Sequence, residues 1–299
     1  MNHHPIFDRF PCYEGEVQQG FEVDFVGSTT RLAFRSRAVG VPNGRVQTSY
    51  PPVNEEYFEW IDILEAVTAA RDQFTMVELG AGYGRWSMRA ACALRSFSNL
   101  PVFLVAAEAE PAHFQWMKLH FQDNRFDPAD HRLVQCAVTD RAGEAMFYVG
   151  MPDGGPDAPD EWYGQALTKD YEIADTEVFD RHRQTSVVRH KSGWKSLRVA
   201  CRTLPELIGD LERVDLIDFD VQGEESKVIR SSAGLLSAKV RGLHIGTHSS
   251  EIEASLRQTL GAEGWQCTAD FACGLENETP FGPVTFNDGV QSWLNPRLA

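Results

Sequence analysis

The stretch FTMVELGAGYGRWS, residues 74–87, decides the fold of this chain of 299 residues. Its first six residues are mostly apolar, which is typical of a strand that is buried in a sheet. The strand ends at Gly80, and the glycines at positions 80, 82 and 84 let the backbone turn sharply and approach a ligand closely. A helix is predicted over residues 85–97. The stretch therefore combines a buried strand, a glycine turn and the free N–H groups of a helix start.

The same alternation of apolar strands and helices continues on both sides of this stretch. Further strands are predicted at 21–26, 102–108, 133–138, 144–149, 214–221 and 240–247, with helices at 55–70, 111–124, 224–231 and 250–260. Thr203 with Glu206, and Ser250 with Glu253, have the spacing of capping boxes at helix starts. Residues 265–274 and 282–294 suggest two closing strands. Such an alternation predicts a doubly wound, mostly parallel α/β sheet with helices on both faces.

Two segments stand apart from this core. Residues 150–195 are rich in Pro, Gly and Asp at their start, and regular order resumes only at Thr203. We interpret 150–195 as a long surface insertion before the fourth core strand, either a mobile lid or a passive loop. Residues 1–70 form an N-terminal extension that is interpreted as a substrate lid, and residues 71–299 form the ligand-binding domain.

Composition excludes several classes of protein. The hydrophobic share of 42% supports a large core, and the net charge of −15 disfavours nucleic acid as a main partner. No apolar run is long enough to span a membrane, and residues 1–10 do not resemble a secretory signal. The six cysteines form no C-x-x-C pair, which favours reduced thiols over zinc ligands or disulfides. We therefore expect a cytoplasmic protein; a homo-oligomer is left open.

Polar residues at successive strand ends point to a ligand. The glycine spacing is G-x-G-x-G and not the G-x-G-x-x-G of nucleotide dehydrogenases, so a hydride-transferring enzyme is disfavoured. Glu78 before the glycines suits the ammonium of an amino-acid ligand. Glu108, at the end of the next strand, would accept hydrogen bonds from ribose hydroxyls, with Glu110 as the competing candidate. Ala137 and its small neighbours would admit an adenine ring.

These segments resemble class I methyltransferases, and within that class the FkbM family. The resemblance covers residues 74–294 and rests on VELGAGYGRWS (77–87), VAAEAEPAHF (105–114), VDLIDFDVQGEE (214–225) and IGTHS (245–249). It implies a Rossmann-like sheet of seven strands, S-adenosylmethionine as methyl donor, and O-methylation of a small molecule of the natural-product or sugar type. N-methylation of a peptide or amide side chain is the alternative. Gln222 departs from the glutamate that many family members carry at that position.

The resemblance and the strand ends together define the expected site. The predicted cofactor-binding residues are Glu78, Gly80, Ala81, Gly82, Tyr83, Glu108, Ala109, Ala137 and Asp220. The predicted substrate contacts are Tyr57, Trp162, Tyr163 and Gln222. A non-catalytic module that only binds the cofactor is the alternative from another class, and retained cofactor binding without turnover would favour it.

Catalytic residues are predicted at the ends of the fourth and fifth strands. Asp220 and His248 would face one space beside the methyl group, with His248 as general base because an imidazole titrates near neutral pH. Asp220 and Glu224 are conceivable ligands for Mg²⁺, but two acids do not define a metal site. His244 and His248 lie about 13 Å apart if residues 240–247 form a strand, too far to share one ion.

Overall fold

The computed structural model describes residues 3–34, 44–150, 165–168, 177–181, 183–190 and 193–299. The N-terminal part contains a 3₁₀ turn (Pro5–Arg9), β1 (Glu14–Val17), β2 (Phe21–Val23), β3 (Thr29–Arg31), a second 3₁₀ turn (Leu32–Phe34), β4 (Gly44–Gln47) and α1 (Glu55–Ala69). The central part contains β5 (Phe74–Leu79), α2 (Arg85–Phe97), β6 (Val102–Glu108), α3 (Pro111–Asp123), a third 3₁₀ turn (Pro128–Asp130), β7 (Arg132–Gln135), β8 (Ala137–Val138) and β9 (Gly143–Gly150).

The remaining elements follow the predicted insertion or lie within it. They are β10 (Glu177–Asp180), β11 (Thr185–Arg189), β12 (Lys195–Arg202), α4 (Leu204–Ile208), β13 (Leu216–Phe219), α5 (Glu225–Lys239), β14 (Gly242–Thr247), α6 (Ser250–Ala262), β15 (Gln266–Phe271), β16 (Leu275–Thr279), β17 (Gly282–Phe286) and β18 (Gly289–Leu294). Most of the predicted 150–195 insertion, including Trp162 and Tyr163, lies outside the described residues.

The main sheet has seven strands in the order β15-β18-β14-β13-β5-β6-β7. The five strands from β14 to β7 run parallel to one another, and β18 pairs antiparallel with both of its neighbours. The chain order jumps from β5 at the centre outward to β7 and then back to β13. The predicted doubly wound, mostly parallel seven-stranded sheet is confirmed.

Both faces of the sheet are covered because alternate side chains of its strands point to opposite sides. Met76 of β5 belongs to the apolar core that contains residues of α1, α2 and α3. Its neighbour Val77 belongs to a second core that contains residues of α4, α5 and α6. This sandwich places the carboxyl ends of the parallel strands at one edge, where ligands bind in such folds.

A second sheet stands where the sequence predicted less structure. Strand β12 pairs with β11, β8 and β9, so regular order resumes before Thr203 and that prediction was wrong. The single strand predicted at 133–138 is also wrong, since it is divided at Cys136. The N–H of Cys136 donates to the carbonyl of Glu108 at 3.0 Å, whereas Ala137 and Val138 pair with β12. The chain therefore leaves the main sheet at Cys136 and enters the second.

The C-terminal region differs from its prediction in two details. It forms four strands instead of two, because β16 and β17 make a separate hairpin and only β15 and β18 close the main sheet. The N-cap of α6 is Ser249, whose Oγ accepts the N–H of Ile252, so the capping box predicted at Ser250 is wrong. The capping box of Thr203 and Glu206 is confirmed.

The N-terminal segment packs on the same core as the main sheet. Phe7, Phe10 and Phe25 are buried with Trp60 of α1 in the apolar cluster that also contains Met76. The division of the chain at residue 70 and the lid role of residues 1–70 stay predictions. Among the described residues, no helix is long and apolar enough to cross a membrane.

Candidate active site

The turn after β5 requires glycine for two separate reasons. Gly80, Gly82 and Gly84 have φ angles of 80°, 55° and 72°, in the left-handed region that side chains with a Cβ rarely adopt. A Cβ on Gly80 would in addition lie 1.8 Å from the carbonyl oxygen of Asp220. The turn therefore lies in direct backbone contact with the end of β13.

Glu78 holds the start of the helix that follows this turn. Its carboxylate accepts hydrogen bonds from the N–H groups of Trp86 at 3.1 Å and Ser87 at 2.9 Å. Negative charge is favourable at a helix N-terminus. Burial, and then the neighbouring Asp218, raise the pKa of Glu78 to about 8. Glu78 therefore shapes the ligand loop through the backbone of α2.

Glu108 ties the same turn to the end of β6. Its two carboxylate oxygens accept the N–H groups of Gly82 and Glu110, both at 2.6 Å. Burial raises the pKa of Glu108 to about 8. The competing candidate Glu110 is fully buried, accepts the N–H of His113 at 2.6 Å and pairs with Arg183 at 2.6 Å. Of the two acids, only Glu108 lines a cavity beside the glycine turn.

Two adjoining cavities open at the carboxyl edge of the sheet. The Glu108 cavity, as we name the smaller one, has a volume of about 390 Å³ and is lined by Gly80, Gly82, Glu108, Ala109, Cys136, Ala137, Val138, Phe147, Gln165, Leu167, Asp220, Val221, Gln222 and Asp288. The acidic cavity, about 670 Å³, includes Glu78, Ala81 and Tyr83 in its lining. Both cavities share Gly80, Gly82, Asp220 and Asp288, which stand at their boundary. The predicted cofactor residues thus all line one cavity or the other.

The predicted substrate contacts are placed differently. Gln222 lines the Glu108 cavity, and its Nε2 donates to Asp220 Oδ1 at 2.8 Å. Tyr57 lines neither cavity: it is 1% exposed, stacks on Phe7 and accepts the N–H of His4 through its hydroxyl. The geometry gives Tyr57 a role in the apolar core and no contact with either cavity.

His248 is surrounded by three carboxylates. Its Nδ1 lies 3.0 Å from Glu225, and its Nε2 lies 3.4 Å from Asp220 and 3.8 Å from Asp288. Burial alone would lower its pKa, but the contacts with Asp220 and Glu225 raise the pKa of His248 to about 10. A protonated ring does not accept a further proton. The arrangement therefore does not support a general-base role for His248, which stays an untested prediction.

Two members of this group, Glu225 and Asp288, were missed by sequence reasoning. Glu225 closes the quoted motif VDLIDFDVQGEE (214–225), and its carboxylate also accepts the N–H groups of Val221 and Gly223. Asp288 lies in the turn before β18, a segment that the sequence marked only as a strand. Glu225 could have been predicted, because it is the last acid of a motif that the sequence already singled out. Asp288 could not, because it is brought to the site by the antiparallel pairing of β18 with β14.

The conceivable metal pair of the sequence does not form a cluster in the described residues. The Glu224 carboxylate accepts hydrogen bonds from Lys227 Nζ at 2.6 Å and from Thr139 Oγ1 at 3.0 Å. Asp220 instead contacts His248 and Gln222. Binding of Mg²⁺ by these two acids stays a prediction without support from the geometry.

A row of titratable side chains crosses the sheet below the acidic cavity. Asp218 of β13 is in register with Glu78 of β5 and His244 of β14, so the three side chains lie on one face. On α1, above this face, Glu59 approaches Asp218, and Asp62 accepts a hydrogen bond from His244 Nδ1 at 2.6 Å. Burial, and then their mutual approach, raise the pKa of Glu59. Burial likewise raises the pKa of Asp218.

Comparisons with known proteins agree with the fold. No protein-family model matches the chain. A protein of Jannaschia sp. (strain CCS1), whose name ascribes methyltransferase activity to it, is 24% identical over 240 residues, covering 80% of this chain and 79% of its own length.

Two solved structures are similar to this chain at low sequence identity. The precorrin-6y C5,15-methyltransferase of Geobacter metallireducens GS-15 is 11% identical with a TM-score of 0.38, covering 83% of this chain and 93% of its own. The methyltransferase FkbM of Methylobacillus flagellatus KT is 14% identical with a TM-score of 0.41, covering 76% of this chain and 45% of its own.

The class of the protein follows from the sheet and the sequence relative together. The predicted Rossmann-like methyltransferase fold is confirmed, and the chain is a methyltransferase. Membership of the FkbM family stays a prediction, because no family model matches.

Proposed function

We propose that this methyltransferase uses S-adenosylmethionine and binds its adenosyl part in the Glu108 cavity. The observation that carries this proposal is the position of Glu108, whose buried carboxylate lines that cavity beside the glycine turn. An acid at this strand end is the group that accepts ribose hydroxyls in dinucleotide folds. Ala109 and Ala137 leave room for a flat ring beside it.

S-adenosylmethionine would supply an electrophilic methyl group on a sulfonium. The residues of this chain would hold it by three kinds of contact. Glu108 would accept the ribose hydroxyls, the turn at Gly80 and Gly82 would pass close to the ligand without side chains, and the small residues would border the ring. Rate enhancement in such a site comes mainly from proximity and orientation of the two reactants.

The acceptor would enter through the acidic cavity and meet the methyl group at the boundary formed by Asp220 and Asp288. An acceptor hydroxyl must lose a proton, and a carboxylate within reach can take it. Asp220 is proposed as that base. His248 is proposed as a positioning residue, because its Nε2 lies 3.4 Å from Asp220 Oδ1. Burial raises the pKa of Asp288, which makes it a second proton acceptor at the same boundary.

The lining of the acidic cavity bears on the acceptor. It contains the seven acidic residues Glu55, Glu56, Glu59, Glu78, Asp218, Asp220 and Asp288, against Arg85 and His244. Such a lining repels carboxylates and phosphates and favours neutral or cationic groups. O-methylation of a small neutral acceptor is the main proposal. N-methylation of an amine or amide is the second candidate, since the same lining attracts a cationic amine.

The direct test is a calorimetric titration with S-adenosylmethionine. We expect binding in the micromolar range. Above pH 8, where the Glu108 carboxyl is ionised, we expect Glu108→Ala to weaken it by about 10- to 150-fold, because hydrogen bonds to charged groups are worth about 1.5–3 kcal/mol. Glu144→Ala is the matched control, since Glu144 is a surface acid on β9 with 63% of its side chain exposed. Absence of binding by a folded wild type would refute the proposal.

Transfer itself is tested with a labelled methyl donor and a panel of hydroxyl and amine compounds. Label recovered on an alcohol supports O-methylation, and label recovered on an amine supports the second candidate. Tight cofactor binding without transfer to any compound would favour the non-catalytic binding module.

A further inference from the structure

We propose that Glu59, Asp218 and His244 form a binding site for one divalent transition-metal ion on the wall of the acidic cavity. One ligand atom from each of the three side chains lies within 4.8 Å of the others. Among the described residues, this is the one group of three such side chains that converges in this way. This site is separate from the proposed methyl transfer. Its three protein ligands all belong to this chain.

The orientation of His244 is the first observation that points to a metal. Histidines that bind metals almost always donate their other ring N–H to a carboxylate or carbonyl, which fixes the ring and its tautomer. His244 Nδ1 meets Asp62 Oδ2 at 2.6 Å, and the same Asp62 oxygen accepts the hydroxyl of Ser292. His244 is 4% exposed. The ring is thus locked by one nitrogen, and Nε2 is left for a ligand.

The surroundings of Asp218 are the second observation. Its side chain is 4% exposed, and its carboxylate is hydrogen-bonded to the carboxyl group of Glu59. Its close polar neighbours are Glu59 and His244. Arg85, which also lines the acidic cavity, donates hydrogen bonds to both carboxylate oxygens of Glu56 at 2.7 and 2.8 Å. The Glu59 carboxyl and the His244 imidazole stabilise this buried carboxylate, and a metal ion placed between the three side chains would take over that role with release of the proton that they share.

Access and ligand type define the class of ion. All three side chains line the acidic cavity, so an ion and its remaining ligands can reach them. One imidazole with two carboxylates suits Zn²⁺, Mn²⁺ or Fe²⁺ better than Mg²⁺, which prefers oxygen ligands alone. Bonds of about 2.1 Å place the ligand atoms of a tetrahedral site about 3.4 Å apart. The three ligand atoms lie within 4.8 Å of one another, so the side chains must move closer together when an ion binds. Three protein ligands leave further coordination positions open towards the cavity.

The test uses the full chain after treatment with a chelator and removal of the chelator. Zn²⁺ alone is titrated by calorimetry, and Co²⁺ alone is followed by its visible absorption, which reports the donor atoms. We expect one equivalent of each metal to bind, with a Co²⁺ spectrum of nitrogen and oxygen ligands and without thiolate charge transfer. Binding through the free cysteines would instead show thiolate bands, which would overturn the proposal.

Variants separate this site from adventitious binding. Glu59→Gln keeps the size of the side chain and removes one ligand, and we expect it to weaken binding of Zn²⁺ at least about 10-fold, as does His244→Gln. His131→Gln, a partly buried histidine outside the cluster, is the control and leaves the affinity unchanged. Equal affinity of the wild type and folded Glu59→Gln would overturn the proposal. No binding of either metal by the wild type would overturn it as well.

Discussion

The carbonyl oxygen of Asp220 lies 1.8 Å from the position that a Cβ on Gly80 would occupy. The two residues follow neighbouring strands, since β5 pairs with β13. The N–H of Asp220 donates a hydrogen bond to the carbonyl oxygen of Leu79 at 2.9 Å. The glycine turn and the acidic end of β13 are therefore one rigid unit. Any ligand bound by the turn lies at a distance from Asp220 that the backbone itself determines.

Gly80→Ala should destabilise the protein far more than a strained φ angle alone. We expect a loss of more than about 4 kcal/mol in the free energy of unfolding, because the methyl group would overlap a backbone atom that cannot move away. Gly20→Ala is the matched control: Gly20 has a φ of 87°, and nothing lies within 4 Å of its Cβ position. It should cost only about 1–2 kcal/mol. If urea unfolding showed that both variants lose the same free energy of unfolding, the close approach of Gly80 to the carbonyl of Asp220 would be contradicted.

Binding of adenosine should become tighter as pH rises towards 8. Burial raises the pKa of Glu108 to about 8, so below that pH the carboxyl must lose a proton before it accepts ribose hydroxyls as an anion. By linkage, the affinity should rise by up to about tenfold per pH unit below pH 8 and level off above it. Adenosine is chosen because it lacks the amino group of the full cofactor. A pH-independent affinity measured by calorimetry would argue against contact with Glu108.

The stability that His248 contributes should disappear at alkaline pH. Its pKa is raised from 6.5 to about 10 in the folded protein, so its contribution is fully present below about pH 6.5 and is lost as pH rises through 10. The difference in melting temperature between wild type and His248→Gln should shrink steadily over that interval. Burial lowers the pKa of His131, so His131→Gln should show a constant difference there. If the difference in melting temperature between wild type and His248→Gln stayed constant over this pH range, the protonated state of His248 beside Asp220 would be contradicted.

The buried pair of Arg183 and Glu110 should hold the second sheet against α3. Arg183 is 1% exposed in its side chain, and its guanidinium contacts Glu110 and Asp180. Arg183→Met should lower the free energy of unfolding by about 3–5 kcal/mol, because it leaves a buried charge without a partner. The double variant with Glu110→Gln should recover part of that loss. Arg198→Met, on the exposed pair with Glu144, should cost less than about 1 kcal/mol. Equal costs would show that the buried pair is not structural.

The central βα units could be predicted from the sequence because their signals are local. The helix Arg85–Phe97 and the strand Val102–Glu108 have the bounds that the apolar pattern and the glycine turn indicate. Because consecutive parallel strands end at one edge, the residues from Gly80 to Ala137 that are predicted to bind the cofactor could be placed together as well. Strand β12 was missed although its side chains alternate between buried and exposed; two of its three partners, β8 and β9, lie more than 40 residues earlier in the chain.

By itself, the sequence determined the order of strands and helices, the glycine turn and the acids Glu78 and Glu108, since each depends on neighbours along the chain. Only the tertiary structure decided which titratable groups are protonated. His248 is held as a cation by Glu225 and Asp220, and Asp218 meets Glu59 across 159 positions of the chain. Charge and proton affinity depend on burial and on which groups approach in space, and the fold alone brings α1 over β13 and β14.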